Sequence, residues 1–202
     1  MNKRAIGKAN EVAMLKTIAN CGWTTAPLCA DWTFPERPKN SRRTQGRVIL
    51  KRLREAGLVK TRETFQAAEA YILTKKGADF VNTQLEADGY KGWAHHGNDL
   101  GVLEFNRHVL AIDYVAEKLR LKECAGAIGP AGLRAGIGGG IDADAAYIMQ
   151  DKNGGYTVVG VLGITNAREA IQQKFKKLAR KHKIDLAGDA RIIATLQRRI
   201  AV

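Results

Sequence analysis

Residues 41–62 read SRRTQGRVILKRLREAGLVKTR, and the run changes period partway along. From Ser41 to Ala56 the positions Gly46, Ile49, Leu50 and Leu53 recur at three- and four-residue spacing, one stripe of a helix. Gly57 is its natural stop, because glycine enters the left-handed region after a helix without a Cβ penalty. Leu58-Val59-Lys60-Thr61-Arg62 and Ala70-Tyr71-Ile72-Leu73 read as short strands flanking Glu63 to Glu69, a hairpin. Thr74 is placed to cap a closing helix with Phe80, Val81 and Leu85 on its apolar side. Upstream, Asn10 is expected to cap a helix carrying Val12, Leu15, Ile18 and Ala19 and ending by Gly22. Thr25 opens a second short helix with Pro27 in its first turn and Leu28, Cys29 and Trp32 along it. A Pro-containing connector, Pro35 to Asn40, leads into the third. Three helices, a hairpin and a closing helix predict a winged helix-turn-helix over residues 1–90. Residues 91–99, with Gly92, His95, His96, Gly97 and Asn98, read as a join.

The charge on the third helix is one-sided. Residues 37–54 hold eight Lys or Arg and no Asp or Glu. Opposite the apolar stripe the helix is expected to present Arg43, Thr44, Arg47 and Lys51, with Arg42 and Gln45 near its N-terminal end, where recognition helices meet base edges. Arg grips guanine and Gln grips adenine with two hydrogen bonds, whereas Lys mainly holds phosphate. Lys60 and Arg62 on the wing strand are placed for an adjacent backbone or minor-groove contact.

The run from Leu53 through Gly57-Leu58-Val59, followed by Tyr71-Ile72-Leu73-Thr74-Lys75-Lys76-Gly77, resembles bacterial winged-helix regulators across roughly residues 8–87. In that superfamily Leu-x-x-x-Gly-Leu-Val closes the recognition helix into the wing, and Tyr-x-Leu-Thr-x-x-Gly leads out of it. The resemblance implies double-stranded DNA as partner; the long connector before the third helix departs from the pattern.

The second half, residues 91–202, predicts a small α/β domain with a few-stranded sheet, so that the whole chain is α+β. Leu100 to Leu121 reads as a long helix with Val102, Phe105, Val109, Ile112, Val115 and Leu119 in a stripe. Gly126 to Gly140 reads as a flexible loop. Ile141–Met149 and Tyr156–Ile164 read as a hairpin turning through Asp151-Lys152-Asn153-Gly154-Gly155. Ala167 to Lys181 reads as a helix and Ala190 to Leu196 as a last strand. Asp142 and Asp144 are expected on one face at the start of a strand, where a metal-dependent nuclease holds Mg²⁺. The next strand carries no acid and no Lys, so Glu169 and Lys174 are the substitutes for a second acid and a Lys.

The element order, with His108, Asp113, Asp144 and Thr165-Asn166, is similar to the replication-relaxation family and the MOBC-type plasmid mobilisation relaxases. That resemblance implies a plasmid, phage or other mobile-element setting, mobile-element proteins as partners, and a second domain that is a degenerate nuclease fold kept for dimerisation or extra DNA contact.

Other signals are weaker. His95-His96 lacks a third metal ligand, and Gly136-x-Gly138-Gly139-Gly140 precedes a strand, the wrong order for a phosphate loop. Lys174, Lys176, Lys177, Arg180, Lys181 and Lys183 form a second basic run, either a solvated face or a phosphate contact. Across 202 residues the net charge is +13, which favours a polyanionic partner. No apolar run of membrane-spanning length occurs, and Met1 to Gly7 is basic with no apolar stretch behind it, so no secretory signal is expected there. Its three cysteines, Cys21, Cys29 and Cys124, lack metal-ligand spacing and fit a reducing compartment. The expectation is a cytoplasmic, nucleoid-associated, sequence-specific DNA-binding protein, a homodimer acting as transcriptional regulator or mobile-element accessory, with no cofactor. The alternatives are a Mg²⁺-dependent relaxase-like nicking enzyme and a ligand-sensing repressor.

Overall fold

Leu53 and Gly57 settle how the third helix ends. The Leu58 N–H donates to Leu53 O at 2.9 Å and the Gly57 N–H to Arg54 O at 2.9 Å. With Gly57 at φ +70 this is a Schellman closure, which turns the chain straight into a strand. Thr74 then locks the far side of the hairpin to the same turn. Its hydroxyl donates to Gly57 O at 2.7 Å and accepts from the Gly77 N–H at 3.1 Å. The two sequence signatures that flank the hairpin are therefore in contact.

The computed structural model describes residues 3–64, 69–89, 91–96, 102–166 and 168–200. It is a mixed α+β protein that divides into two compact units, Met1–Asp99 and Leu100–Val202. The hairpin tip at 65–68, Gly97 and Asn98 of the expected join, and the expected starts of the helices at Leu100 and Ala167 lie outside the described residues.

The first unit runs α1 (Lys3–Cys21), β1 (Thr24–Thr25), α2 (Ala26–Thr33), α3 (Lys39–Glu55), β2 (Val59–Glu63), β3 (Glu69–Leu73) and α4 (Lys75–Ala87). Its sheet is antiparallel in the order β1-β3-β2, with Val59 opposite Leu73 and Glu63 opposite Glu69. Strand β1, which pairs Thr24 with Tyr71, is too short to show in sequence periodicity. Helix α1 begins at Lys3, so Asn10 lies inside it rather than capping it, and α3 begins at Lys39 after Pro38 rather than at Ser41. The core joins Met14, Leu15 and Ile18 of α1 to Ile49, Leu50 and Leu53 of α3 and Val81 and Leu85 of α4. Gly46 lets α3 cross α2 closely, since a Cβ there would meet the Ala30 Cβ at 2.7 Å. Residues 91–96 pack on this unit: Ala94 is in its core, and the Asn82 side chain brackets Ala94 through its N–H (2.8 Å) and carbonyl (3.1 Å).

The second unit runs α5 (Val102–Arg120), β4 (Gly126–Ile128), α6 (Pro130–Arg134), β5 (Ala145–Gln150), β6 (Tyr156–Ile164), α7 (Glu169–Ala179), β7 (Lys183–Gly188) and α8 (Ala190–Ile200). The sheet order is β4-β5-β6-β7, antiparallel except that β6 and β7 are parallel, joined by α7 as crossover. Alternation along β6 splits the layers. Leu162 and Ile164 pack with Leu178 of α7 and Leu196 of α8, whereas Gly163 faces Arg107 of α5. Two expectations are corrected here. The glycine-rich stretch 126–140 is not a plain loop: it contains β4 and, opened by Pro130, the short helix α6. Residues 190–196 are helix rather than strand, because Asp189 Oδ1 accepts from the Arg191 N–H at 2.8 Å and sets the first turn. The last strand is instead 183–188, where Ile184 and Leu186 alternate beneath the basic run.

Candidate functional site

On α3 the buried residues are Arg42, Gly46, Ile49, Leu50 and Leu53. Four of these are the expected stripe, and Arg42 is a correction. Only 8% exposed, it pairs with Asp31 of α2 and also donates to Arg37 O at 2.9 Å. Buried, and turned inward by its bonds to Asp31 and Arg37, this guanidinium is not placed to meet a base edge. Arg43 Nη2 reaches the other Asp31 oxygen at 3.0 Å with its side chain 37% exposed, so one face of it stays open to solvent. Burial alone would push the Asp31 carboxyl up, but hydrogen bonds from Arg42 and Arg43 outweigh it and hold the group below its ordinary value. Gln45, half-buried, accepts from Arg37, whose guanidinium also lies 4.9 Å over the Phe34 ring. Asp31 thus ties α2 to the first turns of α3, and Arg37 ties the connector to the same helix.

The exposed residues of α3 include Thr44, Arg47, Val48 and Lys51, which share one face of the helix. Arg47 has no ion-pair partner among the described residues, and Lys51 meets only Glu55, at an exposed 3.9 Å that contributes little. Val48 is 47% exposed between these polar neighbours. On β2, Lys60 and Arg62 are exposed where Val59 turns into the core.

In the second unit the expected pair of carboxylates does not share an environment. Both precede β5, but Asp144 is 3% exposed whereas the Asp142 side chain is 78% exposed. Asp144 Oδ2 accepts from the Gly163 N–H at 3.0 Å, and Oδ1 lies 3.6 Å from Arg107 Nη2 and 3.7 Å from His108 Nε2. Burial raises the Asp144 carboxyl above its usual range against the pull of Arg107 and Lys174. Burial, then the charges of Arg134, Arg107 and Lys174, lower His108 to about 3, so the imidazole is neutral near pH 7. Its Nδ1 is buried without a hydrogen-bond partner among the described residues. Lys174 donates to Asp142 at 3.0 Å, while Glu169 sits in the first turn of α7 and accepts from Gln173 at 3.0 Å. Asp142, Lys174 and Asp144 therefore come near one another and Glu169 is engaged on its own helix. Among the described residues no group of three His, Cys, Asp or Glu side chains gathers to hold a metal.

The His108 environment has a measurable consequence. Its folded value lies below the value near 6.5 of an unfolded chain, so the unfolded state takes up the proton first as pH falls. The stabilisation is complete above about pH 6.5 and is lost as pH drops towards 3. Asp144, raised, acts with the opposite sign in the lower part of that window. His108→Gln is expected to flatten the pH dependence of second-unit stability, followed by hydrogen exchange of the β6 amides. The same slope in variant and wild type would contradict a neutral buried imidazole.

The weaker signals lie elsewhere in the structure. His95 and His96 are exposed, and Asp113 is exposed on α5. Asn166 donates to Thr165 at 3.4 Å and accepts from the Arg168 N–H, a turn that leads into α7. Cys21 and Cys29 are buried free thiols, burial pushing Cys29 up to about 12; Cys124 is partly exposed. Sequence reasoning passed over Asp31, Arg107 and Arg134, and also Asp185, which accepts from Tyr114 (2.9 Å) and Tyr147 (2.6 Å). Asp31 alone carried a signal, as an acid among Leu28, Cys29 and Trp32 on a short apolar helix. Among the described residues no helix is long and apolar enough to cross a membrane. Comparison with protein-family models, curated proteins and solved structures finds no match to this chain.

Proposed function

We propose that the chain is a sequence-specific double-stranded DNA-binding protein whose first unit is a winged helix-turn-helix, with α3 as recognition helix and the β2–β3 hairpin as wing. The observation that carries this reading is the outward face of α3. Thr44, Arg47, Val48 and Lys51 lie on one side of a helix that Asp31 fixes against α2, and Lys60 and Arg62 lie outward on the strand that follows. Such a face combines a bidentate donor, a hydroxyl, an aliphatic group suited to a thymine methyl and a phosphate-holding Lys. Arg42, expected to join it from the sequence, belongs instead to the support. The role that suits such a module is transcriptional regulation, or an accessory part in a plasmid, phage or other mobile element, as a homodimer on two half-sites.

The test is selection of bound genomic fragments by the purified protein at moderate salt, followed by affinity measurements on the enriched site. Arg47→Ala is expected to lower affinity for that site by about 1–3 kcal/mol with little effect on random duplex. Lys51→Ala should weaken both alike. Equal affinity of Arg47→Ala and wild type for the enriched site would discard the recognition face.

A further inference from the structure

Some cations of the second unit are paired with acids. Lys118 meets Glu123 at 2.7 Å, Arg120 meets Glu117, and Lys174 meets Asp142 at 3.0 Å. Four others are treated differently. Lys176, Lys177, Arg180 and Lys181 are exposed, and none has an acidic partner among the described residues. Residues 174–183 contain six Lys or Arg and no Asp or Glu. Geometry groups them: Ile171, Phe175 and Leu178 fill the core side of α7, so Lys176, Lys177 and Arg180 stand together on the opposite side, and Lys181 follows in the turn. One or two cations suffice to complement a helix C-terminus. Four unpaired ones within six residues repel one another, a cost that a bound polyanion relieves.

We infer that the α7 face is a second DNA-binding surface, one that holds the phosphate backbone of double-stranded DNA without reading sequence. Lys at three of the four positions suits phosphate rather than base edges. A membrane surface fits less well. An interfacial helix must lay an apolar face into the lipid, and the apolar face of α7 is committed to Leu162, Leu196 and their neighbours. Among the described residues the exposed large hydrophobics, Ile6, Val48, Leu121 and Tyr156, include none on α7. The inference adds to the recognition reading of the first unit, and it stands or falls on different residues.

The full-length protein with Lys176, Lys177, Arg180 and Lys181 all replaced by Gln tests it, alongside Arg47→Ala. Exposed positions of this kind tolerate substitution, and hydrogen exchange of the β6 amides checks that the second unit stays folded. The quadruple variant is expected to lose affinity for enriched and random duplex by the same factor. Its plot of log affinity against log salt should be shallower by about 3 to 4, about 0.9 for each phosphate contact removed. Unchanged affinity and slope would overturn the second surface while leaving α3 untouched. The opposite pattern, a normal enriched site with Arg47→Ala but a weakened quadruple variant, would discard the recognition face and keep this one. Loss of binding to phosphatidylserine vesicles with intact DNA binding would overturn it in favour of a lipid surface.

Discussion

Asp31→Ala is expected to destabilise the first unit by about 3–5 kcal/mol, because it leaves the buried Arg42 guanidinium without its counter-charge. Desolvating an ion costs several kcal/mol, and here the attraction of Asp31 offsets that cost only while the hydrogen bonds hold. All three tryptophans, Trp23, Trp32 and Trp93, lie in the first unit, so their fluorescence during urea unfolding reports on it alone. DNA affinity should fall with stability, since the same carboxylate fixes the start of α3. The informative partner is the double variant Asp31→Leu with Arg42→Met. Replacing both members of a buried pair by apolar groups of similar volume is often neutral or stabilising. If Arg42 is support, the double variant recovers both stability and DNA binding. Recovery of stability with DNA binding still lost would return Arg42, or the Asp31-oriented Arg43, to the recognition face. An unchanged urea midpoint in Asp31→Ala would show that the pair contributes nothing.

What could be read in the sequence is what the backbone decides locally. Gly57 after Leu53, Thr74 three residues before Gly77, Pro27 after Thr25 and the Asp151–Gly155 turn each specify a dihedral or a cap within a few residues. The stripe Gly46, Ile49, Leu50 and Leu53 was equally legible, because burial on a helix follows its period. Residues 190–196 misled because the adjacent Ile192 and Ile193 suit a strand; the deciding signal, Asp189 as a cap, was present one step earlier. Residues 183–188 were hidden by the Lys and His that run into them, which mask the alternation of Ile184 and Leu186. The candidate sites were legible only by residue type. Arg42 and Arg47 look alike in sequence, and only a carboxylate eleven residues away on another helix turns one inward. Asp142 and Asp144 likewise share a pattern, yet only Asp144 finds the Gly163 N–H from β6. Long-range pairs of this kind leave no periodicity to detect.

Among the described glycines of the second unit, Gly163 meets the closest neighbour. A Cβ at this position would lie 2.0 Å from Arg107 O and 2.6 Å from its carbonyl carbon, so α5 packs on β6 backbone against backbone. Two effects of Gly163→Ala oppose each other. Alanine reduces the freedom of the unfolded chain, which favours folding by about 0.4–1 kcal/mol where the native site accepts it. Against that stands an overlap with a main-chain carbonyl that no side-chain rotation relieves, so the helix itself must move; overpacking of this kind costs about 3 kcal/mol. The clash wins. Displacement of α5 also stretches the Gly163 N–H bond to Asp144 and shifts Arg107 and His108, the groups that face that carboxylate. Hydrogen bonds to a charged acceptor are worth roughly 1.5–3 kcal/mol, so partial loss adds to the penalty. Exchange of the β5 and β6 amides in Gly163→Ala should therefore accelerate to match a second unit weakened by several kcal/mol. The tryptophan-reported transition of the first unit should stay where it is, because the two units fold around separate cores. Wild-type exchange rates along β6 in the variant would show that α5 does not rest on the strand at this glycine.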